Sequence, residues 1–114
     1  MHRDVKPSNT MLTMDDEVRL LDFDLAIFFL PGEEYSYDVA TPGYKSPEVI
    51  LHQYKYDFRH DIYSTGCMML AMLMREHPYF DTYDGEKDWH SMVLVRGVDA
   101  VKKVDLRHKI KRNY

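Results

Sequence analysis

An aspartate, a lysine and an asparagine stand at positions 4, 6 and 9 of this chain, and another aspartate follows at position 22. Their types and spacing suit one chemistry, the transfer of a phosphoryl group. That reaction needs little covalent help and much positioning and neutralisation of charge. Asp4 would accept the proton of an attacking hydroxyl, and Lys6 would set an ammonium beside the moving phosphate. Asn9 and Asp22 carry hard oxygen donors of the kind magnesium binds. Asn9 lies five residues past Asp4, far enough for a compact loop to fold back and turn both inward. Pro7 stiffens that loop by fixing its own φ. The plain alternative is a polar turn, Lys6-Pro7-Ser8-Asn9, that only caps a following strand. Asp22-Phe23, thirteen residues after Asn9, argues against so bland a role.

Several elements must position these groups. Met11 to Met14, then Asp15-Asp16-Glu17, then Val18 to Leu21 read as strand, turn, strand. That hairpin would carry Asn9 at one end and Asp22 at the other. Residues 25–46 form a long segment broken by Pro31-Gly32 and Pro42-Gly43, and Ser46-Pro47-Glu48 closes it. Asp61 to Gly66 then lead into Cys67 to Met74, eight apolar residues in a row. A helix apolar on every face is expected to be buried all round. Trp89, Met92, Val93 and Val95, with the stem of Arg96, recur at helical spacing and end near Gly97. Together with Val98, Val101 and Val104 they are expected to cover one side of the first helix.

His2-Arg3-Asp4-Val5-Lys6-Pro7-Ser8-Asn9, with Leu21 to Ala26, Pro31 to Tyr35, Tyr44 to Glu48 and Tyr56 to Phe80, resembles the protein kinase family. Pro31-Gly32-Glu33-Glu34-Tyr35 points to the casein kinase II catalytic branch, whereas Thr41-Pro42-Gly43-Tyr44 is similar to other serine/threonine kinases. The resemblance covers roughly residues 1–85. It implies a mainly α fold, a partial kinase C-lobe. Residues 1–24 would form the catalytic loop and metal-binding hairpin, 25–48 the activation segment, 49–85 the helix F region and 86–114 a divergent helical, basic tail. It implies Asp4 as catalytic base, Lys6 as the phosphate-contacting lysine of bound ATP, and Asn9 and Asp22 as ligands of Mg²⁺. His2 and Arg3 would be structural parts of the loop. Asp61 would brace the loop by accepting N–H bonds near His2 and Arg3. Glu48 would pair with a downstream arginine, for which Arg107 and Arg112 are available. Protein substrates or partners are implied as well.

The departures are large. The sequence holds no Gly-rich loop, no strand lysine with its glutamate partner, no adenine-gripping hinge and no helix ahead of His-Arg-Asp. Nucleotide affinity should therefore fall severely, and activity should depend on a supplied N-lobe or regulatory subunit. A pseudokinase-like interaction module and a truncated gene product are the alternatives. An exposed apolar patch is expected on helix F, where the missing helix would pack; methionines there suit an adaptable partner surface. Asp24 stands where the family has glycine, a residue that reaches unusual backbone angles freely. Its carboxylate would be a further ligand beside bound magnesium and would repel Asp22 without it. Tyr63 replaces a tryptophan, a tolerable aromatic exchange. Casein kinase II favours acidic substrates, but residues 22–48 hold one basic residue, Lys45, against Asp22, Asp24, Glu33, Glu34, Asp38 and Glu48. Such a surface repels an acidic peptide.

The 114 residues suit one small domain, with 45% apolar content enough for a core. No apolar stretch approaches the ~20 residues of a membrane span, and no signal-peptide pattern opens the chain. Cys67 is the lone cysteine, in an apolar run, and reads as a small core residue. An intracellular setting, cytoplasm or nucleus, is expected. The net charge of −4 divides unevenly, with +5 on residues 102–114 and −9 on the rest. A basic tail suits nucleic acid or anionic lipid, but no nucleic-acid motif accompanies it, and a solvated helix end or frayed terminus that offsets the acidic body is the simpler account. The histidines at 2, 52, 60, 77, 90 and 108 lack zinc-ligand spacing, and all but His2 read as surface or packing residues. Tyr35, Tyr37, Thr41, Tyr44, Tyr54 and Tyr56 lie in or near the activation segment, where a phosphate could order the loop against Arg3; plain aromatic packing is the simpler role.

Overall fold

The structure, a computed structural model, describes residues 1–75. Pro7 opens its first regular element, a 3-10 turn over Pro7–Asn9. Proline suits a first helical position, where its missing N–H would have no partner. Strand β1, Thr10–Leu12, follows directly and pairs antiparallel with β2, Val18–Leu20. The register sets Thr10 opposite Leu20 and Leu12 opposite Val18. The expected hairpin is therefore present, with shorter strands. Thr13 leaves β1 because it closes the turn: its N–H donates to the Glu17 carbonyl at 2.9 Å and its hydroxyl accepts the Glu17 N–H at 3.1 Å. Met14 stands almost fully in solvent at the tip.

Residues 21–46 contain no regular element and run as a chain of turns. In Thr41-Pro42-Gly43-Tyr44 the Tyr44 N–H donates to the Thr41 carbonyl at 3.1 Å, and Gly43 has a φ of 85°. Proline at the second turn position and a left-handed glycine at the third is the sequence this turn demands. Helix α1, Pro47–Ile50, starts on its own proline. Helix α2, Arg59–Met74, begins where the Asp57 carboxylate accepts the Arg59 N–H at 2.9 Å. It ends at Arg75, whose left-handed φ of 56° lets its N–H close on the Ala71 carbonyl.

Helix α2 is not buried all round, as its unbroken apolar run suggested. His60, Ser64, Cys67 and Ala71 are buried, while Ile62, Met69, Met72 and Leu73 are exposed. The buried set recurs every three or four residues and forms one stripe; the exposed set lies on the opposite face. Within Cys67 to Met74 composition could not separate these faces, because both are apolar there. An exposed apolar patch on this helix is thus a feature of the described residues. Trp89 to Arg96, Val98, Val101, Val104, Arg107, Arg112 and the basic tail lie outside them.

Among the described residues two small cores hold the elements together. Val39, Val49 and Tyr56 pack with Met1, Tyr35 and Tyr37. Tyr44 and Cys67 pack with Tyr63, Met68 and Leu70, which ties the end of the turn segment to α2. Ser64 reinforces that tie by donating its hydroxyl to the Tyr44 carbonyl at 2.7 Å. No helix among the described residues is long and apolar enough to cross a membrane.

Candidate active site

The loop at residues 2–9 is shaped from beneath by α2. Asp61, in the first turn of that helix, accepts the His2 N–H and the Arg3 N–H, each at 2.8 Å, on its two carboxylate oxygens. A carboxylate taking two backbone donors is a strong, directional anchor. It holds Arg3 at a φ of 68°, a left-handed conformation that costs a non-glycine residue of order 1 kcal/mol or more. The His2 ring bridges the loop and the hairpin. Its Nδ1 accepts the Asp4 N–H at 3.2 Å, so its Nε2–H donates to the Leu21 carbonyl at 2.9 Å. The Phe23 ring meets it edge-on at 4.9 Å.

Asp4 is buried and held on every side. Lys6 Nζ lies 2.8 Å from Asp4 Oδ2. The Asn9 side-chain amide donates to that same oxygen and to the Asp4 carbonyl, both at 3.0 Å. The Thr41 hydroxyl donates to Asp4 Oδ1 at 2.8 Å and accepts from Lys6 Nζ at 2.7 Å. Burial alone would push the Asp4 carboxyl up, but Lys6, Thr41 and Asn9 outweigh it and hold the group below the usual carboxylate range. Asp4 is therefore a charged acceptor at neutral pH, already accepting from one hydroxyl. In the sequence Thr41 reads as a modifiable residue and as part of the Thr41-Pro42-Gly43-Tyr44 stretch. Its place beside Asp4 had no local signal, since 37 residues separate them and only the Pro42-Gly43 turn sets its direction.

Asn9 is joined at its backbone to Leu21, the residue before Asp22, whose N–H donates to the Asn9 carbonyl at 2.8 Å. Because both Asp4 acceptors occupy the Asn9 amide nitrogen, the Asn9 side-chain oxygen is left for a cation. Asp22 is exposed and has a φ of 60°. Its Oδ1 accepts the Asp24 N–H at 3.4 Å, a turn across the position where glycine was expected. Among the described residues no three His, Cys, Asp or Glu side chains cluster to form a metal cage. This donor set nevertheless fits magnesium, which takes one or two protein oxygens and completes its shell with phosphate and water.

The remaining support residues divide. Arg3 spends its guanidinium on the Leu25 carbonyl at 2.6 Å and the Tyr56 hydroxyl at 3.4 Å. Tyr56 in turn donates to the Ser36 carbonyl at 2.6 Å, which links the loop to the turn segment. Glu48, on α1, makes no ion pair among the described residues, and Arg107 and Arg112 lie outside them. His60, read from sequence as an ordinary packing residue, is fully buried beneath the site and bonded to Ser46 at 2.8 Å.

A buried aspartate between a lysine and a hydroxyl, braced from the helix below, thus stands beside two oxygen donors fit for magnesium. The family model of the protein kinase domain matches residues 1–113, nearly the full length. Proteins of that family transfer phosphoryl groups to protein substrates and generally use ATP and Mg²⁺. The chain belongs to the protein kinase domain family.

Proposed function

We propose that this chain supplies the acceptor-activating half of a serine/threonine kinase site, most similar to casein kinase II, in which the ATP γ-phosphoryl group passes to a protein hydroxyl. The observation that carries this reading is the Asp4 carboxylate held between Lys6, Thr41 and Asn9. Asp4 Oδ1 accepts a hydroxyl proton from Thr41, and the same oxygen suits the hydroxyl of an incoming serine or threonine. Lys6 moves with little cost from Asp4 to a phosphate oxygen, because both are anionic acceptors at the end of one flexible stem. Asn9 and Asp22 would hold magnesium, which when bound neutralises charge on the phosphates. Asp61 keeps Asp4 aimed by fixing the two residues before it.

The chain corresponds in this reading to a kinase C-lobe. Groups that grip adenine and the outer phosphates would come from residues other than these 114. The exposed apolar side chains of Met11, Leu12, Val18 and Phe23 suit packing against such a nucleotide-binding lobe. Glu33, Glu34 and Asp38 of the turn segment make an acidic substrate a poor match.

The test is magnesium-dependent phosphoryl transfer to serine- and threonine-containing peptides, with a nucleotide-binding lobe joined to the chain. Asp4→Asn should lower the rate by about 10²–10⁴-fold. Equal rates in the two proteins would remove Asp4 as the base. A second reading, a non-catalytic binding module, is favoured by Asp24, an acidic residue two positions past Asp22 where the family has glycine. It predicts no magnesium-dependent transfer from either protein.

A further inference from the structure

His60 is buried without any measurable exposure, and its ring bonds α2 to the turn at Ser46. It lies in the first turn of α2, one residue before the Asp61 brace. Its Nδ1 sits 2.8 Å from the Ser46 hydroxyl, and the Ser46 N–H points at the same nitrogen from 3.4 Å. Two donors converge on Nδ1, so that nitrogen is an acceptor and the proton of the neutral ring resides on Nε2. Nε2 is buried and lacks a hydrogen-bond partner, the only such side-chain atom among the described residues. Buried donors are seldom left unmatched, and each that is carries a cost.

We propose that His60 is a positioning residue that latches the Ser46–Glu48 turn to the first turn of α2, beside the Asp61 brace, while its ring is neutral, and releases that turn when it is protonated. The Ser46 side chain is as deeply buried as His60. A proton on Nδ1 would remove the acceptor from the Ser46 N–H, turn the Ser46 hydroxyl from donor to acceptor, and leave a cation in an enclosure shut off from water. The surrounding charges oppose one another. Burial is the largest influence and disfavours the charged ring. Asp61 on α2 and Glu48 on α1 favour it, as does the Arg3 carbonyl, while the Arg3 guanidinium disfavours it. The Tyr56 ring, edge-on at 5.7 Å, adds no charge. The balance holds the imidazole below its usual range.

The sign follows from proton counts. The unfolded chain binds a proton at His60 below about pH 6.5, whereas the folded chain binds it only at lower pH. The latch is therefore fully closed above about pH 6.5 and loses stability as pH falls toward the folded value. This device is independent of phosphoryl transfer, and its test reads no activity, so its failure is separate from failure of the proposed function.

The complete 114-residue chain is titrated from pH 7.5 to 4.5 while the His60 ring nitrogens are followed by nuclear magnetic resonance. Amide exchange is followed at Val49 and Ile50, whose N–H groups close on the Ser46 carbonyl at 3.1 and 3.0 Å. His60 should protonate below about pH 6.5, and the two amides should exchange about tenfold faster for each unit of pH displacement in that window, after correction for intrinsic rates. In His60→Gln, which cannot take the proton, this acceleration should vanish. The proposal is overturned if His60 titrates at or above about 6.5, if it stays neutral throughout, or if Val49 and Ile50 do not follow its titration. Equal acceleration in His60→Gln overturns it as well. Should that variant fail to fold, the ring titration and the two amides of the unsubstituted chain decide the matter.

Discussion

Asp4 draws its character from three neighbours rather than from burial. Lys6, Thr41 and Asn9 each favour the anion, and together they overcome a desolvation that would otherwise raise the carboxyl. Removing one of them should show. Thr41→Val deletes a hydroxyl donor to Oδ1 while keeping the side-chain shape; the Asp4 carboxyl should titrate at higher pH than in the unsubstituted chain, as read by carbon-13 resonance of its carboxyl. The same lowering fixes a stability window. A carboxyl that ionises more readily in the folded state contributes stability that is whole above about pH 3.9 and is lost as pH falls through the folded value. Acid unfolding of Asp4→Asn should be flatter below that point. Asp61 makes a different contribution, since it accepts two backbone donors. Asp61→Ala leaves both without their acceptor and should cost about 2–4 kcal/mol in urea unfolding, with release of the left-handed Arg3.

At the scale of elements, α2 carries the molecule's order. One stripe of it holds His60, Ser64, Cys67 and Ala71 against the turn segment, and its first turn supplies Asp61. Gly66 sits mid-helix on the other side, with open space where a Cβ would stand. Gly66→Ala should therefore stabilise the chain by about 0.5–1 kcal/mol, because alanine loses less backbone freedom on folding and meets nothing. Thermal unfolding checks this, and a destabilised variant would place a neighbour against that face. The hairpin works in the opposite way. β1 and β2 are three residues each and mostly exposed, and a two-stranded ribbon of that size has little stability alone. It is held by the Leu21–Asn9 backbone bond and the His2–Leu21 bond, which are also the bonds that set Asn9 beside Asp22.

Among the described residues exposed apolar side chains recur along the chain, on the hairpin, in the turn segment at Phe28 and Leu30, and on α2. The hairpin presents Met11, Leu12 and Val18, and α2 presents Ile62, Met69, Met72 and Leu73. A face of this kind costs little to alter when nothing rests on it. Met69→Lys with Leu73→Lys should leave unfolding free energy within about 0.5 kcal/mol while lowering the fluorescence of an apolar-surface dye. A loss of several kcal/mol instead would mean that this face is covered in solution. Among the described residues the two small cores, one around Val39, Val49 and Tyr56 and one around Tyr44 and Cys67, leave the loop at residues 2–9 dependent on hydrogen bonds more than on packing.

Local chemistry was legible in the chain before any fold was known. His2 to Asn9 with Asp22-Phe23 named the candidate groups, the breakers at Pro42-Gly43 located a turn, and the acidic turn Asp15-Asp16-Glu17 between two strand-like stretches located the hairpin. These features are written in neighbouring residues, so the sequence by itself determined them. Contacts between distant residues were decided by tertiary structure alone. Thr41 reaches Asp4 across 37 positions, and His60 reaches Ser46 across 14. Neither residue type differs from an ordinary turn threonine or packing histidine until the partner is in place. Nor could an all-apolar run say which stripe of α2 faces inward. Hydrophobicity supplies a drive to bury without a direction, and the direction came from where the Ser46 and Tyr44 backbone needed partners.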